Sequence, residues 1–159
     1  ADPSTLSEPL GPGRARVLHA DFDLTVDFVG QRLLGSVDLR CRRNEAPAEG
    51  ADWELVLDAA ANLQIKEVHV EGTALAPSQW SRDDATRHAV LGWALRVKLP
   101  GGAAGETLTV RVCFETAAPG PDGEGGCQAL QWLAPSQTAG KSFPYLFSQC
   151  QAILARYMF

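Results

Sequence analysis

The chain has 159 residues, a formal net charge of −5 and a pI near 5.1. With 45% apolar and 21% charged residues it has the composition of a globular protein, long enough for one domain with a real core. The acidic balance argues against a nucleic-acid partner, and no apolar run approaches the roughly 20 residues that span a bilayer, so no membrane partner is expected either.

Residues 1–15 are rich in Pro and Gly and poor in large apolar side chains. They read as a disordered tail ahead of one domain over 16–159. Phe22, Leu24, Val26 and Phe28 then alternate with Asp21, Asp23, Thr25 and Asp27, the period of a strand with one buried face. Gly30-Gln31 makes a turn. Leu33, Gly35, Val37, Leu39 and Cys41 keep the same period, which predicts a hairpin. Arg40, Arg42 and Arg43 around Cys41 read as a solvated strand end. After a polar loop with Pro47 and Gly50, Trp53, Leu55 and Leu57 alternate again. Leu63 and Ile65, then Val68 and Val70, alternate with a phase slip of one residue, which predicts a bulge or bend.

Glu71-Gly72 is a turn signal, and the polar stretch 80–87 with Asp83-Asp84 reads as a loop. Trp93, Leu95, Val97 and Leu99 form a strand that Pro100-Gly101-Gly102 ends, and Leu108, Val110, Val112 and Phe114 form another. A Pro- and Gly-rich loop follows over 116–126. Residues 129–133 read as a short strand, 144–147 as extended, and Gln151 onward as a helix start with Ser148 as a nearby cap. The chain ends Tyr157-Met158-Phe159, three large side chains with nothing left to bury them, which suggests a truncated sequence. Short alternating strands with turn signals between them predict an all-β fold. The expected form is an antiparallel two-sheet saddle or sandwich with a short helix start at the C-terminus.

The motifs of catalysis are missing. There is no H-E-x-x-H, and His19, His69 and His88 are scattered without the i, i+4 spacing that grips a metal on a helix. They read as surface or half-buried histidines, and no metal site is expected. There is no G-x-S-x-G elbow, and the glycines of 120–126 lack the Lys and helix of a phosphate loop. Asp21, Asp23 and Asp27 could hold a cation but read first as a solvated strand face. Cys41, Cys113, Cys127 and Cys150 have no C-x-x-C spacing, and neither Asn44 nor Asn62 begins a glycosylation sequon. The four read as reduced thiols of a cytoplasmic protein. Cys150 has the best claim to a nucleophile, yet no His stands near it in the sequence. No catalytic residue is therefore assigned to this chain.

The stretch Ala129-Leu130-Gln131-Trp132-Leu133-Ala134-Pro135-Ser136-Gln137-Thr138-Ala139-Gly140-Lys141, followed by Pro144-Tyr145-Leu146-Phe147-Ser148-Gln149-Cys150-Gln151-Ala152-Ile153, closely resembles the leukotriene A4 hydrolase and aminopeptidase B group of M1 zinc aminopeptidases. Asp21-Phe22-Asp23-Leu24, Val26-Asp27-Phe28, Leu55-Val56-Leu57-Asp58 and Phe114-Glu115-Thr116 add weaker matches, so the resemblance runs over 17–159 and leans toward the aminopeptidase B-like (arginyl aminopeptidase-like) branch. It implies the β-rich N-terminal domain of such an enzyme, which packs on a separate catalytic domain carrying the zinc and its ligands. The zinc would be a cofactor of the parent, with none in this chain. The implied partners are the parent's own catalytic domain and, in the full-length protein, a peptide substrate. By position, Gln149, Cys150, Gln151 and Ala152 match the family strip that lines the substrate cleft. There Gln151 would help hold the peptide's N-terminal end, since a side-chain amide accepts from an ammonium and donates to a carbonyl. Read without the family, the same amides simply satisfy local backbone. The competing reading of the whole chain is a stand-alone β-sandwich interaction module, a short isoform, because fold alone does not decide function.

Overall fold

The computed structural model describes residues 5–159, with Asp84 and Thr86 described by backbone alone. Its strands are β1 (Arg14–Asp27), β2 (Arg32–Arg43), β3 (Trp53–Ala59), β4 (Gln64–Val70), β5 (Thr73–Ala74), β6 (Trp80–His88), β7 (Gly92–Leu99), β8 (Thr107–Glu115), β9 (Leu130–Leu133) and β10 (Tyr145–Ser148). Eight of them make one sheet in the order β5-β4-β8-β2-β1-β3-β7-β6, and β9 and β10 form a separate hairpin. The only parallel pairing among these neighbours is a short one. Arg14 and Ala15 of β1 run alongside Glu54 and Leu55 of β3 and join the two halves of the large sheet.

At that joint the sheet curls until its halves face each other. Val37, Leu39 and Cys41 of β2, Val68 and Val70 of β4, and Val110, Val112 and Phe114 of β8 share one core with Leu55 of β3 and Leu95, Val97 and Leu99 of β7. These are the alternating positions read from the sequence, because successive side chains of a strand point to opposite faces. Each fully buried Val, Leu or Phe contributes about 1.5–3 kcal/mol of transfer free energy. The hairpin turn between β1 and β2 is closed by Asp27, whose carboxylate accepts from the Gly30 amide (2.8 Å) and from Arg32 (3.1 Å). Gly35 in β2 is required by close approach, since a Cβ there would sit 2.0 Å from the Asp23 carbonyl oxygen. The phase slip in β4 is a real bulge: Ile65 opposes Phe114 and Glu67 opposes Cys113, with Lys66 as the extra residue.

Four local readings change. Residues 80–87 lie in a strand, β6, paired to β7 from Trp80 opposite Val97 to His88 opposite Gly92. An edge strand leaves much of both faces to solvent, so it carries no apolar alternation to read. Arg43 is buried rather than solvated: its guanidinium donates to the Pro100 carbonyl (2.8 Å), pairs with Glu106 (3.4 Å) and lies 5.6 Å from the Trp53 ring centre. The C-terminal helix start is a single 3-10 turn, Leu154–Tyr157, entered from Ile153, while Ser148 ends β10 and caps nothing. Finally, Tyr157, Met158 and Phe159 do find a place, half-buried against the core, with Phe159 edge-on to Phe114 at 5.4 Å.

Of the segment read as a tail, residues 1–4 lie outside the described residues. Beyond them, Thr5 Oγ and the amides of Leu6 and Ser7 donate to the Asp58 carboxylate, and the Gly13 amide donates to the Glu45 carbonyl.

Candidate functional site

The strip matched to the family's cleft starts where the β9–β10 hairpin ends. In that hairpin Tyr145 pairs with Leu133 and Ser148 with Leu130. The Gln149 amide extends the pairing by donating to the Ala129 carbonyl (2.9 Å). Gln149 then turns the chain: its side-chain oxygen accepts from the Gln151 amide (2.9 Å). The Cys150 carbonyl accepts from the Leu154 amide (2.9 Å), and its half-buried side chain packs into a second apolar cluster with Leu33, Cys127, Leu130, Trp132, Leu146 and Leu154. Gln149, Gln151 and Ala152 are exposed, and the peptide bond between Gln151 and Ala152 is cis.

Two anchors hold this strip. On one side is the second cluster. On the other, the buried Arg156 ties the end of the chain to the sheet. It pairs with Asp58 (3.3 Å) and donates to the carbonyls of Leu91 (2.7 Å) and Ile153 (2.8 Å). Its own carbonyl accepts from the Ala60 amide (2.8 Å). Ala152 and Ile153 rim a cleft floored by Val17, Ala20, Leu39 and Leu57. A backbone fixed at both ends and presenting two exposed amide side chains suits hydrogen bonding to a ligand.

The other residues raised by the sequence do not join this strip. Asp21 and Asp23 are exposed on β1, while Asp27 is committed to its turn; hydrogen bonds from Gly30 and Arg32 hold its carboxyl below the usual range. All four cysteines are free thiols, with burial pushing Cys41 up to about 12 and Cys127 up to about 11. His19 and His88 are exposed and His69 half-buried.

The sequence did not reveal how much apolar surface stays open. Phe22 and Val26 lie on the core-facing side of β1 and Phe28 just follows its end, yet they remain 46%, 41% and 42% exposed, and Val29 beside them is 99% exposed. They occupy the part of the β1–β2 hairpin left open between the β3–β7–β6 half of the sheet and the β9–β10 hairpin. Phe28 meets the latter edge-on at Trp132 (5.7 Å). Phe143, Tyr145 and Phe147 add exposed aromatic surface beside it.

The chain is a curled β fold with an exposed polar strip and an open apolar face. No family model matches the chain. It is 36% identical over 159 residues to the leukotriene A-4 hydrolase homolog of Botryotinia fuckeliana, covering 99% of this chain and 22% of that protein. It is 40% identical over 157 residues to leucine aminopeptidase 2 of Yarrowia lipolytica, covering 98% and 21%. The solved structure of native leukotriene A4 hydrolase from Saccharomyces cerevisiae matches 100% of this chain and 22% of its own, at a TM-score of 0.76 and 31% identity. The chain is thus homologous to the N-terminal domain of the leukotriene A4 hydrolase and M1 aminopeptidase group. It spans about a fifth of the length of the curated relatives it matches.

Proposed function

We propose that this chain serves as the N-terminal domain of a zinc aminopeptidase that removes N-terminal residues from peptides. It supports the catalytic domain, supplies one wall of the substrate cleft and is inactive alone. The observation that carries this reading is the homology along the whole chain to proteins of which it is about a fifth. The open apolar face of β1 supports it, because contiguous exposed apolar surface marks a place where another surface docks. The residues present do not make the parent's zinc site, since the sequence has no H-E-x-x-H. No chemical step is therefore assigned to this chain.

In this reading Gln149 and Gln151 face the bound peptide, with Gln151 holding its N-terminal end, while Ala152 lies on the cleft rim and Cys150 anchors the strip in the second apolar cluster. The four free thiols fit a cytoplasmic setting. The test is a longer protein in which this chain is followed by the sequence that encodes the rest. With aminoacyl fluorogenic substrates it should hydrolyse the N-terminal residue and carry zinc, whereas the 159-residue chain should do neither at its strip. Gln151→Ala in the longer protein should raise KM about 10-fold or more, since removing a partner from a charged hydrogen bond costs about 1.5–3 kcal/mol. A longer protein without peptidase activity, or a Gln151→Ala variant with unchanged KM and kcat, would overturn the corresponding part of the proposal.

A further inference from the structure

On the outer face of the sheet, away from the strip at Gln149–Ala152, the β4 bulge sets Glu67 directly opposite Cys113 of β8. His69 is the next residue of β4 on that same face, because Val68 and Val70 between and beyond point into the core. Donor atoms of Glu67, His69 and Cys113 all lie within 4.8 Å of one another, and the His69 ring nitrogen is already 3.0 Å from the Glu67 carboxylate. We propose that these three residues form a binding site for a zinc-class divalent cation that clips β4 to β8.

The donor set is the first argument. One thiolate, one imidazole and one carboxylate are the ligand types zinc accepts, and three protein ligands leave a fourth position for water. Hard cations such as Mg²⁺ and Ca²⁺ take oxygen ligands and would not select a sulfur. Distance is the second. Tetrahedral bonds of about 2.0–2.3 Å place neighbouring donors roughly 3.3–3.7 Å apart, so the cluster must contract by about 1 Å. Rotation of the exposed Glu67 side chain and of Cys113 about its single χ1 supplies that movement.

Local charge is the third argument. Arg111, which borders the cluster, is held by both oxygens of Asp38 (2.6 Å each), so part of its charge is offset there. A thiol gives up its proton to ligate a metal, so affinity should strengthen as pH rises. The topology gives the site a purpose. Only the two residues of β5 lie outside β4 in the sheet, so β4 is nearly an edge, and a cation bridging it to β8 would pin that edge.

The experiment uses the tag-free, reduced 159-residue chain and its own thiol variants. Titration with Co²⁺ should produce a thiolate-to-metal charge-transfer band at one equivalent, bleached by Zn²⁺ and untouched by Mg²⁺. Cys113→Ser should abolish the band and His69→Ala should weaken Zn²⁺ binding at least 10-fold, while Cys150→Ser leaves both intact. Zn²⁺ should raise the melting temperature of the parent chain by a few degrees and leave that of Cys113→Ser unmoved. Circular dichroism on each variant separates loss of binding from loss of fold. A band that is absent, that survives Cys113→Ser or that vanishes in Cys150→Ser overturns the proposal. So does half-saturation above about 100 μM, which corresponds to adventitious surface binding.

Discussion

Two side chains show how single residues fix this domain. Arg156 is buried and spends its guanidinium on Asp58, Leu91 and Ile153, so it fastens the segment after Gln149–Ala152 to the end of β3 and the entry of β7. Removing one partner of a buried pair strands the other, at a cost of about 3–5 kcal/mol. Asp58 keeps its contacts with Thr5, Leu6 and Ser7, which offset part of that loss. Arg156→Ala should therefore lower stability by about 2–4 kcal/mol in urea denaturation. Arg156→Lys should recover little, because one ammonium cannot span three divergent acceptors. The thiols make a second residue-level test. Cys41 and Cys127 are buried with their pKa pushed up to about 12 and about 11, and are almost wholly thiol at pH 8. A disulfide reagent at that pH should titrate Cys113 and Cys150 in the native protein and reach the other two only after denaturation.

Among the elements, β8 is the spine of the larger half-sheet, hydrogen-bonded to β2 on one side and β4 on the other. Its inward residues Leu108, Val110, Val112 and Phe114 are all buried. Phe114 also receives Phe159 from the C-terminal turn, so the strand and the end of the chain are coupled through one ring pair. Phe114→Ala should cost about 3–5 kcal/mol by calorimetry, the range for emptying a buried aromatic site. It should also loosen Tyr157–Phe159, seen as faster amide exchange there than in a Val68→Ala control. The β7 entry makes a different demand. Gly92 has φ of 78° and a Cβ would meet the Ala59 carbonyl oxygen at 2.2 Å, so only glycine lets β6 and β7 turn against β3.

On the scale of the whole molecule, the tip of the long β1–β2 hairpin leaves Phe22, Val26 and Phe28 partly exposed. An isolated chain should bind an apolar reporter dye and self-associate at high concentration. Phe22→Ser with Val26→Thr should suppress both while leaving the β-sheet circular dichroism spectrum intact. In the longer protein of the proposed function, the same double change should weaken attachment to the catalytic portion, read as new protease cleavage between the two. A dye-silent monomeric chain would remove this face from consideration and favour a self-sufficient interaction module.

The sequence by itself determined the all-β class, the β1–β2 hairpin, the inward positions of β2, β7 and β8 and the bulge in β4. Period-two alternation is written residue by residue and needs no partner to be read. It also carried the resemblance from which a role for Gln149–Ala152 is proposed. Tertiary structure alone decided the rest. The edge strand β6 has no apolar face to announce it, and its place depends on β7. Arg43 is charged in the sequence and buried in the fold because Trp53, Pro100 and Glu106 come to it from distant positions. The meeting of Glu67 and His69 with Cys113 was illegible for the same reason. Their donors converge only because the bulge sets the register between residues more than 40 positions apart in sequence, and register is a property of the pairing, not of either strand.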